Sequence, residues 1–89
     1  MKIQIDPHTL ERAIERGASE EEIKDVLITG FDIPVKRNRR GKAKVYKYDQ
    51  KRLNTFFEQK RVEVIYTIES DTIVTITVYV FYGSWKETE

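Results

Sequence analysis

Eighty-nine residues, without cysteine and with one histidine, make one small domain with a net charge of +1. This composition excludes a disulfide framework and a thiolate metal site, and no run approaches the ~20 apolar residues of a membrane helix. The charge is unevenly placed: residues 1–35 and 62–89 each carry a net −4, and residues 36–61 carry eleven basic and two acidic side chains, a net +9.

The first residues, Met1 to Asp6, hold no apolar run of signal-peptide length, so the expectation is a soluble cytoplasmic protein. Ile3 and Ile5 alternate with polar residues as in a short edge strand. Asp6-Pro7 then reads as a helix start, because Asp caps well and Pro tolerates the first helical position. That helix runs to Arg16 and ends at Gly17, a left-handed C-cap, with Leu10, Ala13, Ile14 and Gly17 as its buried stripe. Ser19 followed by Glu22 is a capping box and opens a second helix, in which Ile23, Val26 and Leu27 recur at helical spacing up to Gly30.

After Gly30 the period changes. Phe31, Ile33 and Val35 alternate, and Pro34 confines this run to an edge strand or loop. Lys36 to Lys42 reads as a basic turn, and Ala43 to Tyr48 as a strand. Asp49 to Gln59 fits either a short helix or a loop pinned by Phe56 and Phe57. Arg61 to Ile68 and Thr72 to Tyr82 are strands, and the Ser70-Asp71 turn makes them an antiparallel hairpin. The expected fold is α+β: a short N-terminal strand and a two-helix hairpin packed on an antiparallel sheet of three to four strands, with residues 1–89 as a single domain.

In the last strand strict alternation puts Val74, Ile76, Val78 and Val80 on the helix-covered face. It puts Ile73, Thr75, Thr77, Tyr79 and Phe81 on the other, a mixed surface that serves as a plain sheet face or as a binding floor. On the first helix His8, Arg12 and Arg16 step by four residues and share one polar arc. They are either a solvated surface, with both arginines paired to Glu15 and Glu20, or a phosphate site. In a phosphate site the histidine moves a proton and guanidinium groups hold the anion.

The pattern His8-x3-Arg12-x3-Arg16-Gly17-x-Ser19-x2-Glu22-Ile23, with Thr77-Val78-Tyr79 near the end, resembles a prokaryotic domain-of-unknown-function family. That family is grouped with the RelE-like and barnase-like ribonuclease toxins. The resemblance spans residues 3–82 and is strongest over 8–23 and 62–79, with Ala18 where the family usually has isoleucine. It implies metal-independent RNA cleavage, with His8 at the family's histidine, Arg12 at its motif arginine and Thr77 and Tyr79 at its last-strand positions, which makes these four the candidate catalytic residues. RNA and an antitoxin protein are the implied partners, with no cofactor, metal or membrane.

Such cleavage uses the 2′-hydroxyl as nucleophile and needs a base, an acid and cations at phosphorus. With one histidine present, Tyr79 is the expected second proton carrier, Thr77 a donor to phosphate, and Arg12 the clamp. Arg16, Lys36, Arg37, Arg39, Arg40, Lys42, Lys44 and Lys47 are expected along the RNA backbone, with Tyr46, Tyr48 and Phe56 available to stack on bases. The alternative is a non-catalytic module that holds RNA or an acidic protein through the basic segment. The sequence leaves the oligomeric state open.

Overall fold

Helix α1 (Pro7–Arg16) starts where its capping chemistry directs. Asp6 Oδ2 accepts from the amides of His8 and Thr9, both at 3.1 Å, and Pro7 takes the first position. Gly17 ends it at φ +106°, a left-handed conformation that a residue with a Cβ rarely adopts. Helix α2 (Glu20–Thr29) opens with the reciprocal capping box of Ser19 and Glu22, at 3.1 and 3.0 Å. The computed structural model describes residues 1–85.

Five strands follow the expected order: β1 (Lys2–Gln4), β2 (Phe31–Ile33), β3 (Arg40–Arg52), β4 (Thr55–Glu69) and β5 (Thr72–Gly83). Among the described residues they form one mixed sheet, ordered β1-β5-β4-β3-β2, in which β1 runs parallel to β5 and the other neighbours are antiparallel. The fold is therefore α+β as expected, with β1 and β2 completing the sheet at its two edges. Ala13, Ala18, Ile23, Val26 and Leu27 from the helical side pack on Val62, Val64, Tyr66 and Val78, all nearly inaccessible. This is the one-layer-on-one-sheet arrangement that an amphipathic hairpin and a half-apolar sheet require.

Several local expectations change. Asp49 to Gln59 is neither helix nor loop: β3 and β4 continue through it and meet at a two-residue turn, Leu53-Asn54. Both turn residues have positive φ, +52° and +69°, the geometry that matches strand twist in a tight hairpin. The basic turn closes at Arg39, since Arg40 to Lys42 already belong to β3. Ile14 is 60 % exposed rather than part of the buried stripe.

The largest change is in β5. Ile65 pairs with Thr77 but Tyr66 pairs with Thr75, so Ile76 is an extra residue, a bulge. One extra residue exchanges the two faces of everything before it. Ile73 and Thr75 therefore join Val78 and Val80 on the helix side, where Thr75 is buried and its hydroxyl accepts from the Asp6 amide at 3.2 Å. Thr77, Tyr79 and Phe81 stay on the opposite face, paired with Ile65, Glu63 and Arg61.

Helix α1 does a second job. β1 covers the edge of β5 only at Thr72, Ile73 and Val74. Beyond that point side chains of α1 satisfy the edge carbonyls that no strand reaches. Thr9 Oγ1 donates to the Ile76 carbonyl at 3.1 Å, and Arg16 Nη1 donates to the Val78 carbonyl at 2.6 Å. The helix is thereby held alongside β5, with its polar arc beside Thr77.

Candidate functional site

His8, Arg12 and Thr77 line one cleft of about 190 Å³, together with Asp6, Thr9 and Ile76. Helical spacing accounts for the first two, since residues four apart on α1 project on the same side. The third lies just past the bulge, on a stretch of β5 that β1 no longer covers, and so reaches the same cleft. His8 is well exposed, and Glu11 Oε1 lies 3.6 Å from its Nδ1. Arg12 is exposed and makes no ion pair among the described residues, so its guanidinium is available to an anion.

Thr77 also lines a second, larger groove of about 390 Å³ on the helix-free face of the sheet. Glu63, Ile65 and Tyr79 are among its sheet residues, and Lys36, Arg37 and Arg39 border it from the loop after β2. Gly41 permits this closure. A Cβ there would lie 2.6 Å from Val35 Cγ2 and 2.8 Å from Ile33 Cγ1, so only glycine lets the loop lie against β3.

The expected nucleic-acid contacts thus separate into groups. Lys36, Arg37 and Arg39 border the groove next to Thr77. Arg40 does not line that groove; it shares a cleft of about 470 Å³ with Arg37 and Arg39, beside Thr67, Ile68 and Glu69, and a smaller one with Arg39, Asp32 and Tyr66. Lys42 and Lys44 turn to the helix side, bound to Asp32 at 3.1 Å and Asp25 at 2.7 Å. Lys47 is exposed with Asp49 3.6 Å away. Arg16 is bound to the Val78 carbonyl, and its guanidinium carbon lies 5.8 Å from the Tyr79 ring centroid. Neither α1 arginine pairs with Glu15 or Glu20; Glu20 holds Lys24 instead.

Tyr79 lines the groove and not the cleft that contains His8. Tyr46 and Tyr48 face the helices. The Tyr46 hydroxyl donates to Asp25 at 2.6 Å, and the Tyr48 ring packs 5.1 Å from that of Tyr82. Hydrogen bonds from Lys44 and then Tyr46 pull the Asp25 carboxyl from its ordinary 3.8 down to about 2. Burial, followed by the Asp25 carboxylate, pushes the Tyr46 phenol well above its usual value. This cluster fixes α2 to β3 and lies away from the cleft.

Asp6, Thr9 and Ile76 also line the cleft, and Glu63 and Ile65 the groove, without having been singled out from the sequence. Asp6 and Thr9 were readable from the cap and first turn of α1, and Glu11 as the i+3 neighbour of His8; Ile76, Glu63 and Ile65 depend on the bulge and on strand register. Among the described residues no group of three or more His, Asp or Glu side chains could hold a metal ion, and no helix is long and apolar enough to cross a membrane.

No curated protein and no solved structure matches the chain. A family model described as a domain of unknown function, DUF4258, matches residues 5–80. That span contains α1, α2, β2, β3, β4 and most of β5, and with them His8, Arg12, Thr77 and Tyr79. The chain belongs to the DUF4258 family of domains of unknown function.

Proposed function

We propose that the protein is a metal-independent endoribonuclease, of the kind that acts as the toxin of a toxin–antitoxin pair. The observation that carries this reading is the position of Thr77, which lines both the His8–Arg12 cleft and the cationic groove. An RNA strand drawn along Lys36, Arg37 and Arg39 would present a phosphodiester to the only histidine in the chain.

In this reading His8 removes the proton of the 2′-hydroxyl, and Glu11 stabilises the imidazolium that results. The 2′-oxygen bonds to phosphorus, the bond to the 5′-oxygen breaks, and a 2′,3′-cyclic phosphate forms. Arg12 and the Thr77 hydroxyl donate to the nonbridging oxygens as negative charge builds on them. The leaving 5′-oxygen takes its proton from water at the exposed cleft, since the Tyr79 hydroxyl belongs to the adjoining groove.

The test is incubation of pure protein with RNA in a chelator, with and without ribosomes. Cleavage is expected, reduced about 100-fold or more in His8→Ala, the contribution usual for a positioned proton carrier. A comparable loss is expected in Arg12→Ala, as for removal of one oxyanion donor. Induced expression is expected to arrest growth, and the His8→Ala variant to relieve it. Intact RNA in every arm would overturn the reading. Salt-sensitive RNA binding that survives His8→Ala, without cleavage by the unaltered protein, would favour a binding module instead. The high exposure of His8 is the observation on that side.

A further inference from the structure

Tyr79 and Phe81 stand two residues apart on β5, on the face away from the helices, with ring centroids 6.3 Å apart and planes tilted by 31°. They are 44 % and 47 % exposed. Two neighbouring rings left open together are a candidate contact surface. Cations lie beside them, together with Glu63, which pairs with Tyr79 and holds Arg61 at 2.8 Å. The Arg16 guanidinium lies beside the Tyr79 ring, and Lys36, Arg37 and Arg39 line the groove that Tyr79 shares. Arg61 pairs with Phe81 across β4 and lies 5.3 Å over the ring of Phe31, itself 48 % exposed.

We propose that Tyr79 and Phe81 form a base-stacking platform that makes this site select single-stranded over duplex RNA; the proposal rests on the RNA reading above. Aromatic rings accept the flat face of any unstacked base, and neighbouring cations track the phosphates. A duplex keeps those faces inside its own stack, where a sheet-borne ring cannot reach them. The platform adjoins Thr77, so a strand with bases on Tyr79 and Phe81 passes its backbone toward the cleft. The part of Tyr79 that matters is then its ring and not its hydroxyl. Lys36, Arg37 and Arg39, in no ion pair among the described residues, favour a polyanion over an apolar protein segment as the occupant.

The test is fluorescence anisotropy with a labelled 2′-O-methyl oligoribonucleotide, which cannot be cleaved by its own 2′-oxygen, as a single strand and annealed to its complement. The single strand is expected to bind at least about tenfold tighter. Tyr79→Leu and Phe81→Leu are each expected to weaken single-strand binding about 5- to 150-fold, the range for losing one stacked base, and to leave duplex binding nearly unchanged. Tyr79→Phe is expected to bind as the unaltered protein does. Thermal melts check that each variant folds. Equal affinity for both forms, or leucine variants that bind normally, would overturn the platform and leave the RNA reading standing. That result would return the aromatic face to a protein partner. Failure of both forms to bind would overturn both.

Discussion

Arg16 donates a 2.6 Å hydrogen bond to the Val78 carbonyl and lies over Tyr79, so its charge is spent on holding α1 to the edge of β5. Its spacing from His8 and Arg12 gives no sign of this, because helical period reports direction and not the partner. Arg16→Met is expected to destabilise the fold by about 1.5 kcal/mol, the low end for a charged hydrogen bond at a partly exposed position. Urea denaturation measures this, and no change would show the contact to be idle. Asp25 sets a pH limit in the same way. Its carboxyl is held near 2 in the fold against an ordinary 3.8, so its ion pair contributes fully above pH 4. That contribution is lost as pH falls from about 4 toward 2. Melting temperatures across that window should fall less steeply for Asp25→Asn than for the unaltered protein; parallel curves would exclude the linkage.

At the scale of elements, the helices and the terminal hairpin were legible in the sequence because each carries explicit end signals. Asp6-Pro7, Gly17 and the Ser19/Glu22 box bound the helices, and Ser70-Asp71 marks a hairpin whose two turn residues adopt φ of +50° and +64°. The β3–β4 hairpin was not legible, because Leu53-Asn54 lacks the Asn-Gly or Asp-Gly chemistry of such turns. Leu53 sits at φ +52° and is 90 % exposed, so it bears a left-handed backbone without burial in return. Leu53→Asn is therefore expected to stabilise the protein by about 0.5–1 kcal/mol, since asparagine tolerates that region. Unchanged or lower stability by denaturant titration would contradict this account of the turn. The bulge at Ile76 was equally hidden. Val74 to Val80 alternates without interruption in sequence, and only the pairing with β4 reveals the extra residue. Its consequence is that Thr75 closes the core against Asp6.

At the scale of the molecule, a net +9 in residues 36–61 does not act as one patch. Lys60 is buried, with its ammonium 2.7 Å from the Gly17 carbonyl and 2.9 Å from Glu22, where it joins the helix junction to β4. Arg52 reaches back to the Glu15 carbonyl and over Tyr82, while Lys42 and Lys44 hold acidic partners. What remains beside Thr77 is the loop with Lys36, Arg37 and Arg39 on the groove, next to a cleft that holds His8 and Arg12, the latter in no ion pair among the described residues. The acidic first third and the basic middle thus pair in part, and Lys36, Arg37 and Arg39 are left on the groove. The central claim is that His8 in this cleft cleaves RNA through its 2′-oxygen. Mass spectrometry of the new RNA ends, made in chelator by the unaltered protein and by His8→Ala, tests it most directly. Cleavage by His8 is expected to leave 2′,3′-cyclic phosphate and 5′-hydroxyl ends that vanish with His8→Ala. Ends bearing a 5′-phosphate, or the same ends at the same rate without His8, would contradict it.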